Sequence, residues 1–152
     1  MESFAGKSVI VTGGGKGVGR GVAKSFAAAG AEVMLGARSI APAQDVKAEI
    51  EKAGGVAECF AADIAKHADC RALVAATVEA FGGIDIIVHA AADIPHGGLG
   101  HVDDERLEAG FASIAKAAWW LLDAARPHLA EARDGGRFIA IGSVKGTLYR
   151  GP

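Results

Sequence analysis

The stretch "SVIVTGGGKGVGR", residues 8–20, guides the interpretation of the whole chain. Its first half is a continuous β-branched run, which is typical of a strand buried in a parallel sheet. Its second half is rich in glycine and leads into Val18, Val22 and Phe26, which recur at helical spacing. Glycines between a strand and a helix let backbone N–H groups approach a phosphate closely, at the positive end of the helix. The stretch therefore predicts a strand–turn–helix unit that can bind a nucleotide.

The rest of the chain repeats this alternation of strand and helix. Short apolar runs predict further strands at 31–37, 57–63, 84–91 and 135–143. Segments of helical period predict helices at 43–55, with Pro42 where the helix could begin, and at 67–83 and 103–133. Strands that alternate with helices predict right-handed βαβ units and a parallel sheet covered by helices on both faces.

Composition limits the class of protein. The 152 residues suit one domain, with 51% hydrophobic and 22% charged residues. A net charge of −2 and the lack of Lys/Arg runs argue against nucleic acid or an anionic membrane as partner. We see no signal peptide and no apolar segment long enough to span a membrane. Cys59 and Cys70 form no CxxC pair, so we expect neither a zinc site nor a redox dithiol, and a cytoplasmic location.

The glycine spacing is TGxxxGxG, from Thr12 to Gly19, and differs from the commoner dinucleotide pattern GxGxxG. It resembles the turn of the short-chain dehydrogenase/reductase family. The resemblance implies an α/β fold with a Rossmann-type, doubly wound parallel sheet of strand order 3-2-1-4-5. It also implies hydride transfer between a nicotinamide cofactor and a small carbonyl or alcohol substrate. The cofactor-binding residues that it implies in the turn are Gly13, Gly15, Lys16, Gly17, Val18 and Gly19.

The end of the second expected strand indicates which cofactor is preferred. The stretch "LGARS" carries no acid that could bind both ribose hydroxyls, and it places Arg38 and Ser39 beside the expected ribose. A guanidinium can hold a phosphate through two parallel hydrogen bonds, and Lys16 adds a second positive charge nearby. In the family such residues go with NADP(H), which we therefore expect. The alternative is NAD(H), with both cations simply solvated.

Two further strand ends match the family in part. Asp63 and Ile64 match its Asp–hydrophobic pair, whose carboxylate binds the adenine amino group, although an Asp here could also cap the next helix. The family's NNAG segment reads "HAAA" in this chain, so Ala90 and Ala91 would line the cofactor. His89 then either replaces the structural hydrogen bonds of the first asparagine or takes part in catalysis.

The long helix expected at 103–133 bears two apolar stripes. The first should face the core, and it comprises Leu107, Phe111, Ile114, Ala118, Leu121, Ala125 and Leu129. The second, with Ala115, Trp119 and Leu122, either widens that core face or packs on another subunit, in a homodimer or homotetramer. The chain contains no asparagine, and the position of the family's helix asparagine falls near Ser113 or Ile114.

The loop before this helix contains His96 and His101, which could face a substrate. A metal site would need a third ligand on a helix or strand, so surface histidines are the simpler interpretation and we expect no metal.

The end of the fifth expected strand places Ser143 at the family's catalytic serine, whose hydroxyl holds the reacting oxygen. In the family the proton donor is a tyrosine followed four residues later by a lysine, whose charge lowers the pKa of the phenol. Tyr149 follows the serine too closely for this role, and Lys145 precedes the tyrosine, so the expected pair would fall after Pro152. The strand would also be left as an exposed apolar edge.

We therefore interpret residues 1–152 as a single NADP-binding domain that is incomplete at its C-terminus and is the N-terminal part of a longer reductase. The alternative is a non-catalytic NADP(H)-binding or interaction module.

Overall fold

The computed structural model describes residues 4–93 and 101–143, and its centre is one parallel sheet. The strands are β1 (Ser8–Thr12), β2 (Glu32–Ala37), β3 (Val56–Ala61), β4 (Ile86–His89) and β5 (Arg137–Ala140). Their order is β3-β2-β1-β4-β5, and every neighbouring pair is parallel. The doubly wound sheet expected from the sequence is thus confirmed.

Helices connect the strands. They are α1 (Gly17–Ala28), α2 (Ile40–Lys52), α3 (His67–Phe81), α4 (Asp104–Phe111) and α5 (Ala117–Glu131). A π-helical turn, Ala112–Lys116, joins α4 directly to α5. Pro42 is the third residue of α2 and not its first, which a helix tolerates because N–H groups of the first turn lack partners in the helix.

The two central strands, β1 and β4, are buried on both faces of the sheet, and side chains alternate between those faces along each strand. Val9, Val11 and Leu35 pack with α1 and α2 on one face. Ile10 and Ile87 belong to the core on the other face, with residues of α3 and α5. The central strand β1 is buried at all five positions, so its carboxyl end is held rigidly between the two layers.

The prediction that one apolar stripe of the long helix faces the core is wrong for the first half of that helix. The buried residues are Gly110, Ser113, Ala117, Leu121 and Ala125. Leu107, Phe111 and Ile114 are exposed, Phe111 to 56%. The π-helical turn inserts an extra residue in one turn and so rotates the later side chains relative to the earlier ones. In this first half the inward positions hold the small residues Gly110 and Ser113, and the large residues lie outside.

Within residues 4–93 and 101–143, none of the helices combines the length and the apolarity that crossing a membrane requires.

Candidate functional site

The glycine turn after β1 packs too closely for side chains at two positions. A Cβ atom on Gly19 would lie 2.3 Å from the carbonyl oxygen of Gly13. Gly13 itself has a φ of 70°, and a Cβ there would lie 3.0 Å from the Cα of Ala91. The turn therefore lies directly against the segment that follows β4, and only glycine suits these positions.

The start of α1 has the character of an anion site. Lys16 is the N-cap residue in an extended conformation, and its side chain makes no capping hydrogen bond. The first turn, which begins at Gly17, carries no acidic residue. The N–H groups of a first helical turn point toward the positive end of the helix dipole. This end of α1 can thus accept a phosphate group, with the exposed Lys16 and Val18 beside it.

One cation and one anion, Arg38 and Asp93, lie on either side of the carboxyl end of β1. Arg38 follows β2, Asp93 follows β4, and β1 lies between those strands. The Nη1 atom of Arg38 lies 3.3 Å from Oδ2 of Asp93, and both side chains are more than half exposed. Ser39, the N-cap residue of α2, makes no capping hydrogen bond with its side chain. The sequence did not single out Asp93, whose relation to Arg38 depends on the strand order.

Asp63 shapes the turn after β3. Its Oδ1 atom accepts a hydrogen bond of 3.2 Å from the backbone N–H of Ala65, and its Oδ2 atom lies 3.8 Å from Nζ of Lys66. The N-cap residue of α3 is Lys66, so Asp63 is not that helix's cap. Ile64 is buried in the core, so its backbone and not its side chain is available at this edge of the sheet.

His89, at the end of β4, is 5% exposed and joins two elements. Its Nδ1 atom lies 2.9 Å from Oγ1 of Thr12, and its Nε2 atom lies 3.2 Å from the carbonyl oxygen of Ile114. Burial lowers the pKa of His89, and hydrogen bonds with the backbone of Ile114 and Ser113 oppose that effect only in part. His89 thus makes hydrogen bonds with Thr12 and Ile114, which a structural role requires.

Thr12 is a site residue that sequence reasoning missed. Its Oγ1 atom accepts hydrogen bonds from the backbone N–H groups of Ala90 and Ala91, each at 3.2 Å. The sequence did contain a signal for Thr12, since it is a polar residue at the end of the otherwise apolar run of β1. Thr12 thereby holds the two alanines predicted to line the cofactor.

Ser113, one of the two positions considered for the family's asparagine, is buried in the π-helical turn. Its hydroxyl accepts a hydrogen bond of 2.9 Å from the N–H of Asp93 and donates one of 3.2 Å to the carbonyl of Gly110. The hydroxyl is therefore engaged with backbone groups. At the other position, Ile114 contributes its carbonyl oxygen to His89.

Ser143 lies beyond the end of β5, at the same edge of the sheet as the glycine turn. His89 pairs with Ala140, and the N–H of Ile141 donates a 3.0 Å hydrogen bond to the carbonyl of His89. Ser143, two residues later, is exposed. The structure thus brings the serine to the edge that carries the other predicted site residues, which are Gly13, Gly15, Lys16, Gly17, Val18, Gly19, Arg38, Ser39, Asp63, Ile64, Ala90 and Ala91.

Four other residues were considered in the sequence analysis, and the structure describes one of them. His101 is exposed, and His96, Lys145 and Tyr149 lie outside the described residues. In the part of the chain that the structure describes, no three metal-ligating side chains converge.

Comparison with known proteins places this arrangement among dehydrogenases. The sequence profile described as "short chain dehydrogenase" matches residues 7–151. The chain is 33% identical over 148 residues to a hydroxynaphthalene reductase-like protein, Arp2, of Metarhizium brunneum, covering 97% of this chain and 54% of the relative. It is 32% identical to an L-rhamnose 1-dehydrogenase (NAD(P)(+)) of a Sphingomonas species, covering 95% of this chain and 57% of the relative.

The fold is similar to that of solved structures as well. A short-chain dehydrogenase from Burkholderia cenocepacia, crystallised with NADP, superposes with a TM-score of 0.90 at 34% identity. That match covers 97% of this chain and 60% of the other. The chain thus spans little more than half the length of the proteins that it matches.

Proposed function

Because the chain belongs to the short-chain dehydrogenase/reductase family, we propose that it is the cofactor-binding part of an oxidoreductase. The reaction is hydride transfer between NADP(H) and a small carbonyl or alcohol substrate. The observation that carries the proposal is the glycine turn, where a Cβ on Gly19 would lie 2.3 Å from the carbonyl of Gly13. Such a turn leaves room for a pyrophosphate close to the backbone.

On this proposal the dinucleotide lies in a groove across the carboxyl ends of the strands, lined by the predicted cofactor-binding residues. Gly13, Gly15, Gly17, Gly19 and the start of α1, with Lys16 and Val18, would hold the pyrophosphate. Asp63 and the backbone of Ile64 would lie beside the adenine, and Ala90 and Ala91 would line the groove on the β4 side. The cofactor supplies the hydride or accepts it when bound.

Arg38 supports NADP(H) over NAD(H). Its exposed guanidinium follows β2, where an acidic residue would repel a 2′-phosphate, and Ser39 adds a hydroxyl beside it. The L-rhamnose dehydrogenase is described as using NAD(P)(+), so relatives do not decide the preference. NAD(H) is the alternative, with Arg38 and Lys16 then acting only as solvated charges.

Ser143 would donate a hydrogen bond to the substrate oxygen, where negative charge develops during hydride transfer. We propose that the proton donor and its lysine lie in a segment of this protein equivalent to the part of the longer relatives that follows the matched region. Support comes from β5, whose Ile139 is 41% exposed, because a further strand and helix would cover this edge. On this proposal, residues 1–152 form one domain that needs that remainder for catalysis.

A non-catalytic NADP(H)-binding module is the second candidate. It is favoured by the stretch HAAA in place of the family's NNAG and by the missing helix asparagine. The hydrogen bonds that hold His89 between Thr12 and Ile114 favour it as well. Cofactor binding is common to the two candidates, and turnover of carbonyl substrates separates them.

The outer face of the long helix supports self-association. Phe111, Ile114, Trp119 and Leu122 are exposed there, Trp119 to 71%. Monomers rarely leave an apolar face of this kind in water. A homodimer or homotetramer that buries it is our proposal for the assembly.

The two cysteines support a reducing compartment, for which we propose the cytoplasm. Both thiols are free, and burial raises the pKa of Cys70 to about 11, so its thiol is unreactive at neutral pH.

The test of cofactor binding is a fluorescence titration of the chain with NADPH and NADH. Gly19→Ala should abolish binding of both, because the added Cβ collides with the backbone of the turn. Gly21→Ala is the matched control in the same helix, since a Cβ there meets nothing within 4 Å. No binding by the wild type, or equal binding by both variants, would overturn the proposal.

A further inference from the structure

The hydrogen bonds around His89 determine where its hydrogen lies. The carbonyl oxygen of Ile114 can only accept, so the Nε2 atom of His89, 3.2 Å away, must carry a hydrogen. In the neutral ring Nδ1 then has none, and it accepts a hydrogen bond from the hydroxyl of Thr12, 2.9 Å away. His89 is thus held as the Nε2–H tautomer.

The hydroxyl of Thr12 is fully used in this arrangement. Its hydrogen goes to His89, and its lone pairs accept the N–H groups of Ala90 and Ala91. A hydroxyl has one donor and two acceptor positions, so no capacity is left over. The orientation of the Thr12 hydroxyl, and with it the position of the two N–H groups, depends on the acceptor at His89.

These two N–H groups belong to the backbone segment that we propose lines the cofactor groove on the β4 side. A Cβ atom on Gly13 would lie 3.0 Å from the Cα of Ala91, so the turn and this segment are already in close contact. A second hydrogen bond, from the N–H of Asp93 to Ser113, ties the same segment to the π-helical turn. π-helical turns frequently occur at functional sites.

We propose that His89 is a positioning residue, which joins β1, the Ala90–Ala91 backbone and the π-helical turn through Thr12 and Ile114 and so sets the width of the cofactor groove. It acts through its neighbours and does not touch the substrate. The proposal rests on the proposed function for the identity of the ligand. The hydrogen bonds that link the Ala90–Ala91 backbone, Thr12, His89 and Ile114 are called the relay below. They can be tested without any cofactor.

The binding test breaks the relay at each end. Thr12→Val removes the hydroxyl and should raise the dissociation constant of NADPH about tenfold, as expected for the loss of one or two net hydrogen bonds. Thr77→Val is the matched control: Thr77 is equally buried, and its hydroxyl donates to Leu73 within α3. The control should bind as the wild type does.

His89 variants separate the two contacts. His89→Phe keeps a ring but makes neither hydrogen bond, and it should weaken NADPH binding at least as much as Thr12→Val. His89→Asn places a polar atom where Nδ1 lies, so it should recover part of the affinity through Thr12. Affinity equal to that of the wild type in both folded Thr12→Val and folded His89→Phe would overturn the proposal.

Nuclear magnetic resonance supplies a readout independent of binding. The nitrogen shifts of His89 at neutral pH should show a protonated Nε2 and an unprotonated Nδ1, and the reverse would overturn the relay. Amide hydrogen exchange at Ala90 and Ala91 should accelerate in Thr12→Val and stay unchanged in Thr77→Val. If the wild type binds neither cofactor, the proposed function fails, while these two measurements still decide the role of His89.

Discussion

Nη1 of Arg38 lies 3.3 Å from Oδ2 of Asp93, across the carboxyl end of β1. The guanidinium that we propose for the 2′-phosphate therefore lies beside a carboxylate. Both side chains are more than half exposed, and ion pairs of this kind contribute at most about 1 kcal/mol. The carboxylate should weaken phosphate binding modestly without preventing it.

Replacing Asp93 by Asn should therefore strengthen binding of NADPH. We expect an increase in affinity of roughly two- to fivefold, which corresponds to less than about 1 kcal/mol, with binding of NADH unchanged. Fluorescence titration of both cofactors measures this. Glu79→Gln, which removes one carboxylate from the exposed side of α3, is the control for net charge. Weaker binding of both cofactors would instead indicate that Asp93 contacts the ribose.

Reversing the charge of Arg38 should change the cofactor preference. Arg38→Asp removes charge-assisted hydrogen bonds to the 2′-phosphate and adds repulsion, so NADPH affinity should fall by roughly ten- to a hundredfold. NADH affinity should stay within about twofold of the wild type, since NADH carries no phosphate there. Arg71→Asp makes the same charge change on α3 as a control. An equal loss for both cofactors would contradict the assignment of Arg38.

The buried His89 should make stability depend on pH. Its pKa in the folded protein lies below the ordinary value of 6.5, chiefly because of burial, so the unfolded chain binds more protons between the two values. The neutral His89 ring makes its full contribution to the free energy of unfolding above pH 6.5. That contribution is lost as the pH falls toward the pKa of His89 in the folded protein.

Urea unfolding of the wild type and of His89→Asn, measured at several pH values between 8 and 5, isolates this effect. The other titrating groups are the same in both proteins, so the difference in free energy of unfolding reports on His89. Below pH 6.5 we expect the free energy of unfolding of the wild type to fall relative to that of His89→Asn, by up to about 1.4 kcal/mol per pH unit. Parallel curves would show that His89 does not change its affinity for protons on folding.

The outer face of the long helix should mediate self-association. Trp119→Asp places a charge at the most exposed large apolar residue of the described chain and should reduce the sedimentation mass to that of a monomer. Val56→Asp adds the same charge at another exposed apolar position, on β3, and should leave the assembly intact. A monomeric wild type would exclude this assembly for the chain.

Much of the site could be predicted from positions along the chain. The glycine turn, Arg38, Asp63 and Ser143 each follow a strand, and the carboxyl ends of parallel strands meet at one edge of a sheet. An alternation of strands and helices was therefore enough to bring them together. The prediction of which side chains of the long helix face the core was wrong for its first half, because an argument from hydrophobic periodicity assumes a constant 3.6 residues per turn. The π-helical turn breaks that assumption at 112–116.

The sequence by itself determined that strands and helices alternate around a parallel sheet and that the site lies at the carboxyl edge of that sheet, because apolar periodicity and glycine spacing can be read along the chain. The strand order was implied by the resemblance to the family. Only the tertiary structure showed that Asp93 engages Arg38, that Thr12 bonds His89, and that Phe111 and Ile114 lie outside the core. Such contacts join residues far apart in the chain. They depend on distances of a few ångströms between packed elements, which spacing along the sequence does not specify.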